Sequence, residues 1–464
     1  LNFNTSGVSF MASVFYGATA FNGNISGWDT SNVTNMSSMF YGASAFNSNI
    51  SNWDTSSLSA MSSMFRNASS FNQNIGNWDV SSVTTMKKMF RAASSFNSDL
   101  SAWDVGAVEN MEEMFFIAES FTSDLSNWDV SNVTNMKKMF SYATAFDSAL
   151  NDWDVSQVTT MAEMFNRSDF NHPLSNWDVT SVTDMYAMFR STDFNQDISA
   201  WDVTSVLNLS SLFQANESFN QPLDAWDVSN CTNIANMFSG ASAFNQPLGS
   251  WQVGNVWSFY GVFQDATSFN QDISSWDLSS AEESSFMFSG ASAFNQPIGN
   301  WNVSKVEDMF HMFSKSIFNQ DIGSWDVSAC TNFGEMFAES EFNLPIGQWD
   351  VSAATDLDEM FFKSKFNQDI SSWNVSAVTT MEKTFYESEF NQPLSNWNVG
   401  EVRNMYQLFY KTNFNQDIGD WDVSSVTQMQ GMFYQNGEFN QDVGDWDVSS
   451  VTDFSNMFWG TSSF

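Results

Sequence analysis

Positive charge is scarce in this chain: its 464 residues hold 15 Lys and Arg against 53 Asp and Glu, a formal charge of -38. Such a deficit argues against nucleic acid or an anionic membrane surface as a partner, because both are bound through clustered cations. It favours cations or basic partners. Cysteine is limited to Cys231 and Cys330, and both replace an inward valine of the repeat described below. Four repeats at a strand spacing of about 4.8 Å hold them roughly 20 Å apart, beyond disulfide reach, so both are expected as buried free thiols. Histidine occurs only at His172 and His311, with no C-x-x-C, P-loop or nucleophile-elbow pattern nearby. No enzyme is expected. No apolar run is long enough to span a bilayer, the densest being residues 114–118, so no membrane insertion is expected within this stretch.

Aromatic residues are abundant, with 47 Phe and 20 Trp. Eighteen of the Trp recur at 28, 53, 78, 103, 128, 153, 177, 201, 226, 251, 276, 301, 325, 349, 373, 397, 421 and 446, always 24 or 25 residues apart. The pattern F-N-Q-(D/P)-(I/L)-(S/G)-x-W-D-V-S-x-V-T-x-M-x-x-M-F-x-x-(A/S) fills the chain and leaves no room for another domain. In the unit FNQDIGDWDVSSVTQMQGMF, residues 414–433, Ile418, Trp421 and Val423 suit a short strand with Asp422 and Ser424 facing outward. Val426, Met429, Met432 and Phe433 then recur at helical steps, and Ser424 is placed to cap that helix. One unit cannot bury both faces of its aromatic layer, so units must stack. The expectation is an α/β solenoid over 1–464: about 18 units, each with one short parallel strand and one helix, forming a single curved parallel sheet on the order of 90 Å long.

These units resemble those of the BspA-like leucine-rich repeat surface proteins, in the branch with an FNxDIxxWDVSxVTxMxxMF repeat, over essentially the whole chain. The resemblance implies a leucine-rich-repeat fold, an extracellular or cell-surface setting and a role in adhesion. It implies no enzyme. The chain departs from the usual leucine-rich repeat by placing Trp, Phe and Met where Leu is expected.

The columns of the repeat carry separate expectations. Trp and Met are read as core, the Met as adaptable filler. The Asn after the opening Phe is read as a ladder that satisfies turn backbone in neighbouring units, with weak points where Thr122 and Asp147 replace it. Asp follows Trp in all units except at Gln252, Asn302, Asn374 and Asn398. Two explanations stand for this column: a corner in which Asp accepts a bond from the residue two further on, or a divalent cation, Ca2+ being the natural one for carboxylate oxygens. Asp420, Asp422, Asp445 and Asp447 place four carboxylates on adjoining units and form the candidate Ca2+ site. In WQVGNVWSFYGVF, residues 251–263, Trp257 and Tyr260 occupy usually polar positions, either as a contact site or as a local repacking.

Function is expected to be structural or adhesive, as a stalk or filament subunit. Both ends fall inside a repeat, so the native chain continues, with any leader or anchor lying upstream, or copies stack end to end. The alternative is recognition of a protein or glycan ligand on the concave sheet face. Outward strand positions are mostly Asp, Ser and Gly, which favours the structural reading.

Overall fold

The interval between successive repeats decides what each repeat can be. Equivalent rings stack 5.7 Å apart for Phe90 and Phe115, 5.9 Å for Phe337 and Phe361, and 4.4 Å for Tyr386 and Tyr410. An α-helix with its side chains is about 10–12 Å across, twice that interval. Helices therefore have no room to stack at this pitch, and among the described residues none forms. The computed structural model describes residues 3–464 in two compact units, Leu1–Cys231 and Thr232–Phe464. Each unit is a stack of coils.

In the second unit, the coil at 414–437 replaces the expected helix over 426–433 with consecutive turns. Met432 N–H donates to the Met429 carbonyl (3.2 Å), Tyr434 to Gly431 (3.0 Å) and Asn436 to Phe433 (3.0 Å). Positive φ at Gly431 (60°) and Gln435 (52°) makes the first and last of these type II turns. The donors an α-helix would use internally go to the next coil: Gly431 to Ser455 (3.0 Å), Phe433 to Met457 (3.0 Å) and Gln435 to Trp459 (2.7 Å). Three-residue turns return side chains to one side much as a helix does, so Val426, Met429, Met432 and Phe433 are all fully buried.

The expected strand is also displaced. Trp421 and Val423 point inward and Asp422 outward as alternation predicts, but the parallel pairing lies at Gln428, which bridges Asn404 and Asp453. Among the described residues the bridges are isolated ones, and Asp422 closes its corner six residues before Gln428. At the level of Trp421 the link to the preceding coil is the indole Nε1–H, which donates to the Leu394 carbonyl at 3.0 Å.

The first unit has the same construction. Asn110 bridges Thr85 and Asn135, Met114 N–H turns back to Met111 (3.1 Å), and Phe115 N–H reaches Met139 (2.9 Å). Glu113 and Ile117 take φ of 56° and 59°, a left-handed conformation that costs a non-glycine residue roughly 1–2 kcal/mol. Bonds from both N–H groups to the next coil, at Lys137 (2.8 Å) and Ser141 (3.0 Å), offset that cost. The core is continuous through each unit: Trp103 stacks on Trp128 at 6.5 Å in the first, and Trp349 on Trp373 at 6.4 Å in the second. Cys231 and Cys330 are buried and form no disulfide with each other, and burial pushes the Cys330 thiol up to about 12.

Candidate functional site

The outward polar residues sit at corners, and most coils have three. In the coil of Trp421, Asp417 Oδ1 accepts Gly419 N–H (3.0 Å) and Asp422 Oδ1 accepts both Ser424 N–H (3.1 Å) and Ser424 Oγ (2.7 Å). The third corner uses the bridge column, as where Asn404 Oδ1 accepts Tyr406 N–H (3.0 Å). Ser424 is thus the donor of an Asx turn, not a helix cap. The Ser424 hydroxyl, then its N–H, holds the Asp422 carboxyl below the usual carboxylate range. Of the three corners, the one after Trp is legible in the sequence. The bridge column is not, because it varies among Asn, Asp, Thr, Ser, Glu and Gln and includes Phe10 and Ala60, which have no side-chain acceptor.

Of the four carboxylates named as a Ca2+ candidate, Asp422 and Asp447 each commit one oxygen to a corner, with Ser424 and Ser449. The Ser449 hydroxyl, then its N–H, lowers the Asp447 carboxyl, opposed in part by desolvation and least by repulsion from Asp422. Asp420 and Asp445 are exposed, each immediately before its Trp. Among the described residues, no three His, Cys, Asp or Glu side chains assemble as a metal-ligand group. His172 Nε2 pairs with Asp147 Oδ1 at 2.7 Å, and His311 Nε2 with Glu335 Oε1 at 2.8 Å.

A pair of acids not singled out by the sequence stands apart. Asp356 and Asp358 flank the buried Leu357, and burial raises both carboxyls, Asp358 to about 6. Glu382 N–H donates to Asp358 Oδ1 at 2.6 Å and the Thr380 hydroxyl donates to the same oxygen. The D-L-D triplet around an inward position was the available signal.

Aromatic side chains mark two further places in the second unit. Trp257 is 47 % exposed, and Tyr260 lies 5.4 Å from Phe286, which in turn meets Phe310 and His311. Phe286 and Phe310 escaped the sequence reading because each stands beside a Met in a column of mixed composition. Further along, Tyr386, Tyr410, Tyr434 and Trp459 stack at 4.4 to 4.6 Å. Beside them, Tyr406, Gln430 and Asp453 help line a cleft of about 430 Å³. The ladder rings cover one another's faces, and Tyr410 and Tyr434 also line that cleft.

Among solved structures, the chain is similar to a leucine-rich repeat protein from Bacteroides ovatus (9 % identity, 78 % of this chain and 87 % of that one, TM-score 0.27). It is similar to a TLR13–ssRNA13 complex (9 %, 94 % and 76 %, TM-score 0.20) and to the plant peptide hormone receptor RGFR1 in complex with RGF2 (8 %, 90 % and 87 %, TM-score 0.20). At such scores these likenesses add no weight to the coil geometry. No curated protein matches the chain. A family described as "Mycoplasma protein of unknown function, DUF285" matches over residues 1–101, 72–169, 166–276, 208–318, 250–343, 314–413 and 388–464. Those overlapping matches run from one end to the other, and the chain belongs to the DUF285 family.

Proposed function

We propose that this chain is a non-enzymatic, structural and adhesive repeat protein of the cell surface, of the BspA-like branch, with its coils serving as a stalk. The observation that carries the reading is where its polar side chains are spent. Acids that would supply chemistry close corners, as Asp422 does with Ser424, and amides join coils, as Asn391 Oδ1 does with Asn415 N–H at 3.0 Å. The same bonds recur coil after coil, which suits load sharing rather than a single reacting centre. A net charge of -38 keeps such an array soluble. Protease treatment of intact source cells should remove the protein while cytosolic markers survive, and beads coated with it should adhere to host-matrix proteins. Full protection inside intact cells, or beads no more adherent than albumin-coated ones, would overturn the reading.

A further inference from the structure

We infer that the coils at 257–311 of the second unit form a docking surface for a cationic peptide segment, with Lys or Arg side chains set among apolar ones. Acidic and aromatic residues that are scattered through these outward columns elsewhere gather here in three consecutive coils. In the column after the inward Val, Thr hydroxyls elsewhere donate to the preceding coil, as Thr355 does to Thr331 (3.2 Å) and Thr379 to Thr355 (3.1 Å). That column here reads Trp257, Glu282, Glu307. Glu282 N–H meets the Trp257 carbonyl and Glu307 N–H the Glu282 carbonyl, both at 2.9 Å, so the three are consecutive rungs. The bridge column beside it reads Ser258, Glu283, Asp308, again paired in order.

Two and three residues beyond, where most other coils carry Lys, Glu, Ser, Ala or Asn, rings gather. Tyr260 and Phe286 lie 5.4 Å apart, Phe286 stacks on His311 at 4.8 Å and 10°, and Phe310 meets His311 edge-on at 4.3 Å. Gly334 makes room for this: a Cβ there would stand 3.0 Å from the Phe310 ring. Between Tyr260 and Phe310 in the same column, Ser285 is 3 % exposed and its hydroxyl has no hydrogen-bond partner among the described residues. The rings are partly exposed, and Trp257 flanks them.

Charge selects the occupant. Glutamates on the turn columns of other coils have a cation: Glu359 meets Lys383 at 2.9 Å, Glu387 meets Lys411 at 3.0 Å and Glu112 meets Lys87 at 2.7 Å. Among the described residues, Glu282, Glu283 and Glu307 form no such ion pair. Aromatic faces beside uncompensated carboxylates attract ammonium and guanidinium groups twice over, through the ring quadrupole and through complementary charge. An anionic ligand would meet a surplus of negative charge there, Glu282, Glu283, Glu307 and Asp308 against the single Lys305. The inference does not rest on the surface-scaffold reading and survives its failure.

The test titrates the full chain with a fluorescent peptide of alternating Lys and Leu, and with its Glu–Leu counterpart, at physiological salt. The Lys–Leu peptide is expected to bind and the Glu–Leu peptide not to. Replacing Trp257→Thr, Tyr260→Ser, Phe286→Ser and Phe310→Ser together leaves the charge unchanged and should weaken binding at least ~30-fold, the scale of an aromatic hot spot. Glu282→Gln with Glu307→Gln should weaken it roughly 10-fold, whereas Asp129→Asn with Asp154→Asn, an equal charge change in the first unit, should leave it unaltered. Unchanged affinity in the aromatic variant, or equal weakening by the two charge variants, would mean diffuse association with a polyacid and overturn the inference. Self-association that the aromatic variant abolishes, without peptide binding, would assign the surface to a second copy and overturn it too. Should the aromatic variant not fold, amide exchange on the unaltered chain decides: protection by the peptide confined to 257–311 supports the site, and protection spread over both units refutes it.

Discussion

The two units solve the same stacking problem with opposite imperfections. In the second, the Asn ladder is unbroken: Asn245, Asn270, Asn295, Asn319, Asn343, Asn367, Asn391 and Asn415 each accept the backbone N–H of the next rung, at 2.9 or 3.0 Å. In the first, the ladder runs from Asn22 to Thr122 and resumes at Asn171. Between them Asp147 pairs with His172, and Ser123 and Ser148 hydroxyls accept the Leu100 and Leu125 N–H groups instead (2.9 Å each). The Asp column after Trp is reversed. It is continuous in the first unit, at 29, 54, 79, 104, 129, 154, 178, 202 and 227, and is interrupted in the second by Gln252, Asn302, Asn374 and Asn398. Cohesion between coils therefore comes from backbone bonds reinforced by uncharged amide and indole rungs, while the carboxylates shape corners and repel their neighbours, as Asp54 does Asp79.

The largest effect should be common to both units and so sets the baseline. Trp128→Ala and Trp349→Ala each remove a stacked indole and its bond to Leu100 or Ile322 (3.0 and 3.1 Å). Urea unfolding should register about 3–5 kcal/mol for either. Next, Asn343→Ala should cost about 1–3 kcal/mol, because Asn367 N–H and Gln368 Nε2 lose their shared acceptor. The same change at Thr122, where the ladder already stops, should register far less.

Acid distinguishes the units differently. The Asp358 carboxyl is raised from 3.8 to about 6 by burial, so the folded chain binds more protons than the unfolded one within that window, and stability falls as pH rises through it. Asp358→Asn should flatten melting temperature against pH there and raise it at neutral pH. Corner acids such as Asp129 and Asp202 are lowered by their Ser131 and Thr204 partners. Their contribution is full above 3.8 and is lost as pH falls through their folded values. Smaller again, Thr122→Asn with Asp147→Asn and His172→Gln should restore the rungs of the first unit and add about 1 kcal/mol by urea unfolding. The smallest effect should be that of ionic strength. Salt should stabilise the first unit, with its unbroken Asp column, more than the second, with calcium and magnesium acting alike at equal ionic strength. A calcium-specific rise abolished by Asp445→Asn would instead locate an ion at Asp420, Asp422, Asp445 and Asp447.

Much of this was legible in the repeat. The inward Trp, Phe, Met and Val columns, the Asn ladder with its faults at Thr122 and Asp147, and the Asp422 corner all follow from what each side chain can bury or accept. The helix at 426–433 was misread because chained turns and an α-helix share nearly the same inward spacing, and hydrophobic period cannot separate them. Only the pitch set by stacked rings does so. The surface of Phe286 and Phe310 was hidden because a departure in one coil means little until the stack places three departures side by side.

Hydrogen exchange on the unaltered chain, resolved to single amides, tests the claim that side-chain rungs reinforce the backbone bonds between coils. The ladder amides of Asn319, Asn343, Asn367 and Asn391 should exchange slowly. Those of Asp147 and Asn171, which meet no acceptor among the described residues, should exchange far faster. Equal protection at all six positions would contradict it.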